Sequence, residues 1–436
     1  MTDDGDFLSA DDARILALES SVLTGHTLKL MVLSPGTPID LEALRASVQA
    51  RLVDAPRGLE RVVAGAAGER PRWEAVDGVD VAAHVRRRAG TECTTSEDLC
   101  RVVSELMSEH LDRSRPLWTL DVIGPLADGR EAIAARMHHA MVDGIAGMRF
   151  LEAILLDPHD TPARAGISRS VASDSRPAPS PTLGAGDWAR FAAAIARELG
   201  HPGSRSPFDR PVTGARELAF ATMPLDALRA IGASRPEHAT VNDVLLAAVA
   251  GGLRTWLGDG ASGLDLHAQV PVSMHRRDED PGTAGNRDSF LNVDLQIGAH
   301  DPLQRLDLIS ARTRVEKQAD DAALLYDLFH ALGAVPLVDA VAHRIADTSR
   351  EFSVAISNVP GSRVPVAVSG RRVEGLFSSS EPAPHHALRI AAISHSDQMG
   401  IGFCTDPTVT PGVRELAEAV AEAYRELQRA ALGEVL

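Results

Sequence analysis

Residues 138–144 read His-His-Ala-Met-Val-Asp-Gly, and their types and spacing suit proton transfer to and from an oxygen nucleophile. Neutral imidazole is the side chain best matched to taking a proton from an alcohol near pH 7. The hydroxyl so activated can attack an electrophilic carbonyl, and the same ring can return the proton to the departing group. No covalent intermediate on the protein is required. His138 and His139 are adjacent at the end of an expected strand, so their side chains point to opposite faces and only one enters a given cleft. His139 is the expected base, and His138 is expected to support the site. Asp143, four residues beyond His139, can accept a hydrogen bond from an imidazole or pair with an arginine, fixing the loop. Gly144 permits a tight turn and brings an amide to a helix start, where a developing oxyanion would be held.

A second pair, His385-His386, serves as an internal control. It is followed by Ala-Leu-Arg-Ile, has no Asp-Gly at the same offset, and reads as structural. Neither pair has the spacing of a helical zinc motif or a Cys/His knuckle, so no metal is expected.

The motif needs a frame. Strands are expected at 26–33, 117–124 and 131–139, with helices at 40–52, 96–111 and 145–156, the first two capped by Asp40 and Ser96. Residues 157–211 are rich in Pro, Ser, Ala and Gly and read as a flexible linker holding one helix at 187–199. Beyond it comes a long helix at 241–257 capped by Thr240, then strands at 264–273 and 289–297 and two helices between Pro302 and Ile345. Strands near 352–358, 371–378, 387–394 and 398–404 precede a closing helix at 411–431. The expected organisation is therefore an N-terminal domain at 1–156, a linker at 157–211 and a C-terminal domain at 212–436. Helices and strands mix without strict alternation, which favours an α+β class with mixed sheets over a doubly wound sheet.

Composition narrows the function. A chain of 436 residues fits two domains, and its formal net charge of −16 with no dense basic stripe excludes nucleic acid as a partner. The same charge argues against simple electrostatic attachment to an anionic membrane. Lys29 and Lys317 are the only lysines. Cys93, Cys100 and Cys404 give neither a disulfide framework nor a metal-ligand spacing, which suits a reducing compartment. No signal-peptide pattern opens the chain, and the apolar run at 241–257 is broken by Asp243 and Arg254. The expectation is a cytoplasmic protein whose contact with a membrane or lipid droplet is at most peripheral.

Taken with other segments, the motif resembles the bacterial wax ester synthase/diacylglycerol acyltransferase family. That family lies within the acyl-CoA-dependent acyltransferase superfamily of chloramphenicol acetyltransferase and peptide-synthetase condensation domains. The His-His-x-x-x-Asp-Gly pattern belongs to the whole superfamily. Narrower signals are LDRSRPLW (111–118, ending in Trp118), VNDVLLAAVAGGLR (241–254, with Asn242 and Asp243), PVSMHRR (271–277) followed by Gly285-Asn286, and SNVPG (357–361). They run in family order over nearly the whole chain. Departures are His275 where the family tends to have arginine, Ser362 in place of a frequent proline, and Ser394-His395 where Ser-Tyr is common.

The resemblance implies two chloramphenicol-acetyltransferase-like domains with a tunnel between them and the histidine motif at its centre. It further implies transfer of an acyl group, expected to be fatty, from acyl-CoA as co-substrate to an alcohol or diacylglycerol hydroxyl, with no permanently bound cofactor. Asn286, Ser357 and Asn358 are expected at the substrate, and Trp118 either there or in packing. Two rival readings stay open: a condensation-like enzyme using a carrier-protein thioester or an amine acceptor, and a non-catalytic homologue that binds lipid or a partner.

Overall fold

All eight residues of the strand His26–Leu33 are buried, so both of its faces must be covered. Strand alternation divides its side chains between two cores. Met31 and Leu33 pack with Leu44 and Val48 of the helix Leu41–Arg51 and with Met148 and Leu151 of the helix Gly144–Ile154. Leu28, Leu30 and Val32 meet Leu99, Val102 and Leu106 of the helix Ser96–Ser108 on the other side. The computed structural model describes residues 7–65, 69–88, 94–158, 206–273, 288–318 and 352–433.

This strand is central in a seven-stranded mixed sheet. The strand order is Val85–Arg87, Trp118–Ile123, Glu131–His138, His26–Leu33, Arg371–Ser380, Val366–Val368 and Asp157–Pro158. A second, six-stranded mixed sheet runs Asp288–Asp294, His267–Ser273, Val354–Val359, Leu388–His395, Gln398–Thr405 and Glu217–Pro224. The helices Val241–Leu257 and Val413–Leu432 share its core through Val244, Leu245, Leu416 and Val420.

The fold class is the expected one, but the chain does not divide at a single point. Val366–Val368 and Arg371–Ser380, expected in the second domain, are hydrogen-bonded into the first sheet, antiparallel to Asp157–Pro158 and His26–Leu33. The second sheet then lies directly on the strand so lent. A Cβ on Gly400 or Gly402 would sit 2.0 Å from the Leu376 carbonyl oxygen or 2.1 Å from that of Ser378. Only bare backbone fits there, and the two sheets touch main chain to main chain.

Local signals set most element ends. Asp40 caps its helix through Glu42 and Ala43, and Thr240 forms a capping box with Asp243. The helix expected from Ser96 is capped one residue earlier. Thr95 makes the reciprocal pair with Asp98, because the capping box needs its acid three residues on. The expected helix at 187–199 and the end of the region between Pro302 and Ile345 lie outside the described residues, whereas Pro302–Gln318 is helical. No helix among the described residues is long and apolar enough to cross a membrane.

Candidate active site

The strand Glu131–His138 ends at the histidine pair, and alternation separates the two rings as expected. His138 turns inward under Gly25 and is 1% exposed. Gly25 has φ +70, and a Cβ there would lie 2.2 Å from His138 Nε2. The Ala140 amide donates to His138 Nδ1 at 3.0 Å, which leaves the ring proton on Nε2, 3.4 Å from Glu19 Oε2. Burial pushes the Glu19 carboxyl up, but His138 and Arg113 beside it bring it below its ordinary value. His138 thus holds the turn that follows the strand and is sealed from solvent.

His139 takes the opposite face and stays partly accessible. Its amide donates to the Gly25 carbonyl at 2.8 Å, and its Nε2 lies 3.4 Å from Ser380 Oγ. Ser380 in turn donates to Thr27 Oγ1 at 3.3 Å. Burial, then the charges of Arg389, His138 and Lys29, lower the His139 pKa to about 3. The ring is therefore neutral at ordinary pH, the form a general base requires.

Glu381, just past the lent strand, fastens this corner. Its carboxylate accepts from the Thr24 amide at 2.8 Å and from the Gly25 amide at 2.5 Å, and Arg216 lies 3.4 Å away. On the same sheet face Lys29 is buried and donates to Ser378 Oγ at 2.6 Å, and burial lowers its pKa to about 8. Sequence reasoning missed Gly25, Ser380, Glu381 and Arg389, none of which carries a local signal. Lys29 did carry one, as a lone lysine inside an apolar strand.

Asp143 does not take the expected partner. Its carboxylate accepts from the Ala146 amide at 2.7 Å and caps the helix Gly144–Ile154; among the described residues no imidazole or arginine is bonded to it. Gly144 is needed for space, not for a special turn. Its φ is not positive, and a Cβ would lie 2.7 Å from Val359 Cγ2 of the second sheet.

The two residues of SNVPG separate. Ser357 pairs with Ala391 and shares the face of Val359, which meets Gly144, whereas Asn358 points the other way, 3.5 Å from Asn242 Oδ1. Asn358, Gly361, Ser362 and Ser394 line a cleft of about 430 Å³ to which His139 does not contribute. Trp118 is 1% exposed, donates to the Gly58 carbonyl at 3.0 Å and stacks on His84 at 4.4 Å, so its surface goes into packing. Asn286, with Gly285 and residues 275–277, lies outside the described residues. Asp265, His267 and Asp294 bring possible metal-ligand atoms within 4.8 Å of one another on an edge pair of the second sheet, not at the histidine motif.

Comparison with known proteins agrees with this architecture. Residues 8–182 match the wax ester synthase/diacylglycerol acyltransferase catalytic domain, and residues 284–428 match the C-terminal domain of the same family. A Mycobacterium bovis protein named as a diacylglycerol O-acyltransferase is 33% identical over 391 residues, covering 80% of this chain and 75% of its own. The wax ester synthase/diacylglycerol acyltransferase of Marinobacter aquaeolei VT8 superposes with a TM-score of 0.72 at 24% identity, over 98% of this chain and 99% of that one. A starter condensation domain of rhizomide synthetase, solved with C8-CoA and Leu-SNAC, superposes with a TM-score of 0.61 at 12% identity, over 98% and 94%. With both family domains matched in order on the two-sheet frame, this chain is an acyltransferase that belongs to the wax ester synthase/diacylglycerol acyltransferase family.

Proposed function

We propose that this chain moves an acyl group from acyl-CoA to a hydroxyl and forms an ester, with His139 as general base. The observation that carries the reading is the neutral, partly accessible His139 ring at the junction of the two sheets. The acceptor hydroxyl gives its proton to the imidazole as its oxygen bonds to the thioester carbon. The carbonyl π pair moves to oxygen, then returns as the C–S bond breaks, and the departing thiolate takes the proton back from the imidazolium. A pKa near 3 makes the resting ring a weak base. Negative charge developing on the nearby carbonyl oxygen stabilises the imidazolium and offsets that weakness in the transition state. The names of the relatives point to a diacylglycerol or a long-chain alcohol as acceptor, and the C8-CoA in the condensation domain supports coenzyme A as the carrier.

The test is His139→Ala, purified and shown to be folded by circular dichroism, assayed for thiol release from octanoyl-CoA in the presence of hexadecanol or dioctanoylglycerol. The rate is expected to fall about 100-fold to 10,000-fold. Full activity in the folded variant would remove the assignment.

A further inference from the structure

We propose that Arg389 is a specificity-determining anchor for a carboxylate carried by one of the two substrates, held beside His139. The proposal rests on the acyltransferase reading and deepens it. In the strand Leu388–His395, Leu388, Ile390 and Ala392 belong to the second-domain core. Arg389 therefore shares the opposite face with Ala391 and Ile393, and Ile393 packs into the core of the first sheet. Its neighbour Ala355 lies on the strand whose Val359 meets Gly144. The guanidinium thus stands at the junction, and of all the charges it acts most strongly on His139.

Among the described residues Arg389 has no hydrogen bond and no ion pair, and its Nε is sealed from solvent without a partner. Arg389 is half-buried, and a guanidinium offers five donors in a rigid planar fork, so one left unpaired with its Nε out of water is costly. The carboxylate that acts on it, Glu381, is already engaged by the Thr24 and Gly25 amides. A pocket meant for hydrocarbon alone has no use for such a group. Lys29, a second cation and a buried one, and the hydroxyls of Thr27, Ser378 and Ser380 make the sheet face beside His139 polar as well. A carboxylate matches the fork with two parallel hydrogen bonds. Its charge would also offset the positive field on His139 and make the ring a better proton acceptor while substrate is bound.

The carboxylate can come from the acceptor or from the acyl chain, and two matched pairs separate these sources. Acceptors are 6-hydroxyhexanoate against 1-hexanol; donors are octanedioyl-CoA against octanoyl-CoA. The wild-type ratio of kcat/KM, acid over neutral, is expected to reach about tenfold or more in one arm, and that arm names the substrate. In Arg389→Met the ratio should fall to about one whatever the absolute rate, and Arg389→Lys should keep part of it. An acid-to-neutral ratio below one in both arms, or a ratio unchanged in Arg389→Met, overturns the proposal.

Binding reads the anchor without turnover. Calorimetry with 6-hydroxyhexanoate and with octanedioate should show at least one of them bound about tenfold more weakly by Arg389→Met. Affinity unchanged by the substitution, or no binding by wild type, overturns the anchor. Absence of any ester product, with that binding difference present, overturns the acyltransferase reading alone. Removing an unpaired, half-buried charge should leave Tm unchanged or raise it, whereas a lowered Tm with an unchanged ratio marks a merely structural arginine.

Discussion

Gly25 and His138 occupy one space: a methyl group on Gly25 would lie 2.2 Å from His138 Nε2. The same glycine accepts the His139 amide through its carbonyl, and Glu381 holds its own amide. Gly25→Ala combines a left-handed backbone with overpacking and is expected to cost about 3 kcal/mol. It should also lower activity by shifting His139. Urea unfolding and a transfer assay check both, and a variant as stable as wild type would refute the shared-space argument.

Asp143 acts as a helix cap, and capping has its own signature. Asp143→Ala should cost about 1 kcal/mol, while Asp143→Asn, which keeps an acceptor oxygen, should stay within a few tenths of wild type. A charged partner for Asp143 would make asparagine nearly as harmful as alanine. Denaturant midpoints of the three proteins decide between the two roles.

Acid should destabilise the fold through its buried histidines. Burial holds His26, His84, His139 and His395 below their ordinary value. The unfolded chain takes these protons near pH 6.5 and the folded chain refuses them, so it is the unfolded state that binds more protons below that pH. Stability is therefore full above about pH 7 and falls as the pH drops through 6.5. Between pH 7.5 and 5.5 each such ring should remove up to about 1.4 kcal/mol. His26→Leu should shrink the loss by about that amount. Equal losses in wild type and variant would show that His26 is protonated in the fold.

The contact between sheets makes a further demand. Gly402→Ala drives a methyl group into the Ser378 carbonyl and should cost about 2 kcal/mol or more. Activity should fall with it, because Ser380 and Glu381 ride at the end of the displaced strand. An unaltered unfolding midpoint would mean that the sheets separate freely.

What could be read from the sequence was local. Asp40, Thr240 and the β-branched and long apolar residues of HTLKLMVL announce their elements within a few residues, and the histidine motif was visible for the same reason. The passage of Arg371–Ser380 into the first sheet had no such signature. Its partner Thr27 is bonded to Ser379 across 352 residues, and no window of sequence joins them. Ser380 and Glu381 come to His139 and Gly25 only through that pairing. Asp143 misled in the other direction, since a carboxylate before a glycine suits an ion pair and a helix cap equally well.

The lent strand also sets a timetable for making the protein. Until residues 371–380 leave the ribosome, His26–Leu33 has an open edge on one side. At about 5–20 residues per second, the 352 residues between Thr27 and Ser379 keep that edge waiting for roughly 20–70 s. From the synthesis of His139 to the end of that interval the nascent chain carries both histidines of the motif without Ser380, the neighbour of His139. The corner around His139 is therefore completed late, and a chain released before residues 371–380 arrive is left with an unpaired sheet edge.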